Sequence, residues 1–268
     1  MLRTKRRFVG AQLQDLFGGR YKALSGALRG SVPPVSDYSG WWDCSDVSSL
    51  TISSNKVSQW NDKSANAYHF SQGTGGNQPL YDAAPRTIAG VTVPEFDGTA
   101  RFMTSSLPAS ARPAARFAVV LADTGGLRSI LDGSSGSGGG LEWRTTSGGY
   151  GLEVVKEGVT NLFSSGPYFT NAVPVVVGVN IDTSYIESWL GHYHLGTTAG
   201  TAFNAGQTTT MGRRPNGTLL WDGLIAEVIA YQRWLTIKEC HQTVAYLARK
   251  WGITSHTTDW AAMAPEFG

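Results

Sequence analysis

Charge is scarce in this 268-residue chain: 16% of residues are charged, against about 25% in an average soluble domain. That scarcity, with 11% aromatics, excludes a coiled coil and a charged disordered chain, both of which need many Glu and Lys and few rings. Cysteine is scarcer still, with Cys44 and Cys240 far apart in sequence. Two thiols build no disulfide framework and point to synthesis in a reducing compartment. No apolar run reaches the ~18 residues that span a bilayer, so no membrane partner is expected. The N-terminal stretch also lacks the uninterrupted apolar segment of about 7–15 residues that a secretory signal needs, although its Arg-rich, acid-poor start also fits a transit peptide. No Walker loop, Gly-x-Ser-x-Gly elbow or Cys-x-x-Cys occurs. The run Gly136 to Gly140 has no Lys and no following helix, so it is no phosphate cradle. No internal repeat is visible.

What is present is glycine (33 residues), proline (11) and an unusual nine tryptophans. With abundant Thr, Ser and Val, this is the composition of strands joined by tight turns. Turn signals recur every ten residues or so from about Asp37 to Ile253. The alternation predicts strands at Lys56–Trp60, Val93–Phe96, Phe117–Ala122, Ser129–Asp132, Leu141–Arg144, Leu152–Lys156, Val173–Ile181, Ser184–Leu190, Thr208–Met211 and Gly223–Tyr231. Val175, Val176 and Val177 read as buried on both faces. Asp132–Gly140 and Thr146–Gly149 read as hairpin loops. Near the end the period changes. Thr236 followed by Glu239 has the form of a capping box, and Val244, Leu247 and Trp251 share a helical face that ends at Gly252.

Net charge is +2 but uneven. Residues 1–30 carry Arg3, Lys5, Arg6, Arg7, Arg20, Lys22 and Arg29 against one acid, Asp15, a local +6 that leaves −4 on the rest. Such asymmetry suits contact with an acidic surface or nucleic acid. Leu13, Leu16, Phe17, Leu24 and Leu28 fall at helical spacings interrupted by Gly18 and Gly19. The segment reads as two short amphipathic helices, or a helix and an arm, or a frayed terminus. Ser31–Ser36 (SVPPVS) reads as a stiff extended linker.

Several blocks carry a resemblance. Trp42-Asp43 and Ser45-Asp46 precede Val57-Ser58-Gln59-Trp60-Asn61-Asp62-Lys63-Ser64. Pro79-Leu80-Tyr81, Phe96-Asp97-Gly98 and Met211-Gly212-Arg213 follow. The last block runs from Asp222-Gly223-Leu224-Ile225-Ala226-Glu227-Val228-Ile229-Ala230-Tyr231 to Tyr246-Leu247-Ala248-Arg249-Lys250-Trp251-Gly252-Ile253. In order and spacing, residues 38–253 resemble the concanavalin A-like (laminin-G-like) jelly-roll domains of tailed-phage virion proteins and bacterial surface proteins. The resemblance implies an all-β, antiparallel, two-sheet jelly-roll sandwich (37–253) with one C-terminal helix. A partly helical basic arm with its Pro linker (1–36) precedes it, and a tail (254–268) follows. Physically, Gly98 and Gly223 each follow an Asp where positive φ is needed. Trp60, Phe96 and Trp251 read as core, with each indole N–H wanting a partner.

Chemistry is harder to find. Glycosidases of this fold carry the alternating-acid motif Glu-x-Asp-x-x-Glu on one strand, and the chain has no such run. Glu153 and Glu157 share a strand face but stand about 13 Å apart. Glu142 and Glu153 could meet across a hairpin. His192 and His194 share a face and could hold zinc with a third ligand, with Cys240 and His241 unassigned. Asp97 and Asp222 could contribute to a calcium site; no other cofactor is implied. Trp143, Tyr150, Trp189 and Tyr193, with Glu187 and His192, are the candidate sugar contacts. The resemblance implies a non-enzymatic virion structural protein made in the bacterial cytoplasm. On that reading Arg3, Lys5, Arg6, Arg7, Leu13, Leu16, Phe17, Leu24 and Leu28 anchor it to capsid, portal, adaptor or tail proteins, and a homo-oligomer is compatible. The alternative is a carbohydrate-binding module that recognises a host surface glycan.

Overall fold

The computed structural model describes residues 32–82, 84–108, 114–133, 141–145, 152–156, 163–165, 172–182, 184–191, 193–199 and 208–254. The arm residues from Arg3 to Leu28, Tyr150, Glu157, His192 and the tail from 255 onward lie outside them.

The first strands are β1 (Tyr38–Asp43), β2 (Leu50–Ser53), β3 (Lys56–Trp60), β4 (Phe70–Ser71), β5 (Thr87–Ile88), β6 (Val91–Thr92), β7 (Glu95–Asp97), β8 (Met103–Pro108) and β9 (Ala114–Ala122). Then come β10 (Ser129–Asp132), β11 (Leu141–Thr145), β12 (Leu152–Lys156), β13 (Phe163–Ser165), β14 (Val175–Ile181), β15 (Tyr185–Leu190), β16 (Tyr193–Ala199), β17 (Thr208–Met211) and β18 (Asp222–Tyr231). The helix α1 is Ile237–Lys250. Among the described residues, no helix is long and apolar enough to cross a membrane.

Two large antiparallel sheets result. One has seven strands in the order β1-β18-β9-β14-β15-β16, with β7 also on β18; the other has nine, β13-β12-β11-β10-β17-β8-β4-β3-β2. They pack face to face: Trp42 of β1 meets Phe70 of β4 edge-on at 4.8 Å. Trp60, Phe96 and Trp251 lie in the core, as expected. Trp251 Nε1 donates to Glu227, whereas Trp60 Nε1 has no partner among the described residues.

The seven-stranded sheet is covered on both faces, which is why β9, β14 and β18 read as continuous apolar runs rather than alternating ones. Its outer cover is α1. The start of the helix is the capping box read from sequence: Thr236 Oγ1 accepts from Glu239 N–H, and Glu239 accepts from the Thr236 backbone. Two polar clusters fix the helix to the sheet. Lys250 bridges Asp43 (2.7 Å) and Glu227 (2.9 Å), and Trp41, Trp251 and Tyr246 donate to Glu227. Asn180 of β14 exchanges hydrogen bonds with the Leu235 backbone just before the helix. The Pro-containing segment before β1 is docked: Val35 is buried and its carbonyl accepts from Tyr231 Oη.

Candidate functional site

α1 occupies the outer face of the seven-stranded sheet, and among the described residues the exposed Thr51 and Ser71 lie on the outer face of the nine-stranded sheet. Alternation sorts its residues. Met103, Met211, Leu131 and Trp143 form one cross-strand row that faces the core. The adjacent row is polar throughout: Thr51, Gln59, Ser71, Thr104, Thr210, Asp132 and Glu142 stand opposite one another across β2, β3, β4, β8, β17, β10 and β11. Six interstrand steps make this row about 29 Å long at ~4.8 Å per step. Thr51 and Ser71 are exposed, Gln59 and Thr104 partly so, and Thr210 and Asp132 buried. Gln59 Nε2 donates to Asn61 Oδ1 at 2.6 Å, and Thr104 Oγ1 donates to the Ser71 carbonyl at 3.3 Å.

One flank of the row is built by the turn after β17. Thr210 Oγ1 donates to the Arg213 carbonyl at 2.7 Å. The Arg213 guanidinium lies over the Phe102 ring, 3.2 Å from its centroid. Phe102 is two residues from Thr104, so this stack adjoins the row. Arg214 Nε is 3.8 Å from Asp132 Oδ2. Burial lowers the pKa of Arg213.

The structure disperses the aromatic residues singled out in the sequence. Trp143 is fully buried on the core-facing row of the nine-stranded sheet, so its faces pack protein. Glu187 and Trp189 lie on β15 of the other sheet, and Tyr193 on β16 is opposite Leu190. Trp189 is buried between two imidazoles, His194 at 4.9 Å and His241 at 5.0 Å. Glu187 accepts from Asn180 Nδ2 at 3.1 Å. The fold thus brings His241 of α1 beside His194, a contact the sequence left unassigned. Burial, then the neighbouring His194, lowers the His241 pKa. Burial pushes the Cys240 thiol up to about 12. No group of three His, Cys, Asp or Glu that could hold a metal occurs among the described residues.

Asp97 and Asp222 are register partners on β7 and β18, but each serves its own surroundings. Asp222 accepts from Thr124 Oγ1. Asp97 accepts from the backbone N–H groups of Thr99, Ala100 and Arg101 and from Arg101 Nε. Burial pushes its carboxyl up, yet the backbone hydrogen bonds outweigh it and hold the pKa at about 2. A pKa depressed on folding adds stability that is present above the unfolded value of 3.8 and is lost as pH falls toward 2. Acid titration of wild type and Asp97→Asn, followed by urea denaturation, should show a wild-type advantage at pH 6 that shrinks across pH 3.8 to 2. A constant difference would contradict this.

The sequence offered Glu142 and Glu153 as a hairpin pair. Instead Glu153 stands opposite Arg144, whose Nε is 3.0 Å from its Oε2, while Glu142 stands opposite Asp132 on β10. Sequence reasoning missed Gln59, Thr104, Thr210, Asp132, Phe102, Arg213 and Arg214 as site residues. Gln59 and Arg213 lay inside blocks read as fold markers, and only long-range register unites the rest.

No family model and no curated protein matches the chain. Solved structures do. Trypanosoma rangeli sialidase in complex with sialic acid covers 91% of this chain and 40% of its own, at 14% identity and a TM-score of 0.56. A mutant of that sialidase displaying trans-sialidase activity covers 90% and 40%, at 12% identity and 0.55. Domain 4 of AbnA, a GH43 extracellular arabinanase from Geobacillus stearothermophilus, in complex with arabinotriose, covers 78% and 98%, at 13% identity and 0.58. The chain therefore spans about 40% of the sialidases' length. Identities this low show a shared fold.

These matches correct the expectation of a non-enzymatic virion protein of a tailed phage. The solved structures reported above are of carbohydrate-active proteins, sialidases and an arabinanase. The non-enzymatic reading also rested on the lack of an alternating-acid motif along one strand.

Proposed function

We propose that this domain is a carbohydrate-binding module of the concanavalin A-like jelly-roll type, and that an oligosaccharide lies along the outer face of its nine-stranded sheet. The observation that carries this reading is the polar row Thr51, Gln59, Ser71 and Thr104, exposed or partly exposed on the outer face of the nine-stranded sheet and continued by the buried Thr210 and Asp132. Saccharides present closely spaced hydroxyls that both donate and accept. Hydroxyl and amide side chains answer both needs, and the accessible stretch from Thr51 to Thr104, three interstrand steps or about 14 Å, accommodates a short oligosaccharide. The arabinanase domain, matched over 98% of its length and solved with arabinotriose, supports the reading.

Titration calorimetry with arabinotriose and a panel of longer neutral and acidic oligosaccharides tests it. The double variant Gln59→Ala, Thr104→Ala removes two hydrogen-bonding groups worth about 0.5–1.5 kcal/mol each. Affinity should fall roughly 5- to 150-fold. Glu187→Gln, on the opposite sheet, should bind as wild type. Affinity unchanged in the double variant but lost in Glu187→Gln would move the site to β15 and β16.

A further inference from the structure

Among the described residues, Arg213 is the cation in this site that no acid neutralises. Its guanidinium makes no hydrogen bond or ion pair among the described residues; its contact is the Phe102 ring, and its Nε is buried without a partner. The partners elsewhere on this side differ: Arg101 pairs with Asp97, and Arg128 donates to the Gly98 and Leu220 carbonyls. Arg214, the next residue, faces Asp132. A partly buried guanidinium is costly to leave without an anion, because burial has removed part of its hydration and the Phe102 ring supplies no hydrogen-bond acceptor in its place. The backbone holds this one in place, since the Arg213 carbonyl accepts from Thr210 Oγ1, and Thr210 is itself a member of the polar row.

We infer that the saccharide bound on this face is carboxylated, a uronic or nonulosonic acid, and that Arg213, stacked on Phe102 beside Thr104 and Thr210, is the residue that receives its carboxylate. The inference rests on the proposed sugar-binding reading of the sheet face and specifies its ligand class. The chemistry favours a carboxylate. A guanidinium is a rigid planar fork whose paired N–H groups match the two oxygens of a carboxylate, and stacking on an aromatic ring fixes the plane of that fork in advance. Stacking also lowers the ordering cost of binding, because the long side chain is already held. The neighbouring Thr104 and Gln59 are then placed for the hydroxyls of the same or the next sugar unit.

Matched ligand pairs that differ only in the carboxylate provide the test. Trigalacturonate is compared with its carboxyl-reduced counterpart, and sialyllactose with lactose, against the full chain, Arg213→Gln and Arg213→Lys. Circular dichroism and thermal melting confirm that both variants fold. Expected is at least tenfold tighter binding of one acidic ligand than of its neutral partner, with the preference abolished in Arg213→Gln and reduced in Arg213→Lys. The pair that shows the preference identifies the acid as uronic or nonulosonic. Equal binding of acidic and neutral partners, with Arg213→Gln unchanged, overturns the carboxylate assignment while leaving the sugar-binding reading standing. Tighter binding of a sulfated trisaccharide than of either carboxylated one also overturns it. If no saccharide in either pair or in the neutral panel binds, the sugar-binding reading fails and this inference with it.

Discussion

Replacing Lys250 with methionine is expected to cost about 3–5 kcal/mol of stability, the range seen when one partner of a buried ion pair is removed. Lys250 Nζ is buried between Asp43 Oδ2 at 2.7 Å and Glu227 Oε2 at 2.9 Å. Without it Glu227 keeps hydrogen bonds from Trp41, Trp251 and Tyr246 but no counter-charge, and Asp43 keeps Lys63 at 3.4 Å. The loss should depend on pH. Burial pushes the Glu227 carboxyl up and Lys250 pulls it down. In the variant only the upward push of burial and of Asp43 acts against the remaining hydrogen bonds, so the folded state holds this proton more tightly than the unfolded chain, whose carboxyl titrates near 4.5. Above that pH the folded state binds more protons, and stability falls as pH rises. Urea denaturation should therefore find Lys250→Met more stable at pH 5 than at pH 7. A loss below 1 kcal/mol, independent of pH, would show that the Lys250 cluster contributes little to holding α1 on the sheet.

Gly223→Ala should be of similar severity, for a backbone reason. Gly223 has φ +139°, and a Cβ there would lie 2.0 Å from the Leu121 carbonyl oxygen. Its neighbour across the ladder is Ala122 of β9, so the obstructing atom belongs to the strand paired directly with β18. Strain at the unfavourable φ costs about 1–3 kcal/mol, and overpacking adds about 1–3 kcal/mol. Relief requires β18 to move away from β9, which also shifts Glu227 and the helix above it. A melting temperature within a degree or two of wild type would contradict this placement.

Much of the secondary structure was legible locally. Lys56–Trp60, Ser129–Asp132, Leu152–Lys156 and Thr208–Met211 have the bounds read from alternation, and the capping box at Thr236 starts the helix as written. β8 was missed because Ser105, a buried position between Met103 and Leu107, breaks the apolar alternation that marks a strand. Gly223 was read as a turn glycine; its positive φ is real, but it lies within β18. The candidate site was far less legible. Aromatic abundance drew attention to Trp143 and Trp189, yet rings are strand formers, and the inward parity of β11 and the helix over β15 bury both. The polar row depends on which strands are neighbours: Asp132 lies opposite Glu142 and Thr210, and Arg213 lies on Phe102, pairings that no local pattern displays.

The central claim is that sugar binds the outer face of the nine-stranded sheet. Amide chemical-shift mapping by NMR tests it most directly, with the isotope-labelled chain titrated with whichever oligosaccharide binds most tightly. Perturbations are expected at Thr51, Gln59, Ser71, Thr104, Thr210 and Arg213, with β15, β16 and α1 unchanged. Perturbations centred on Glu187, Trp189 and His194, with the row from Thr51 to Thr210 silent, would contradict it.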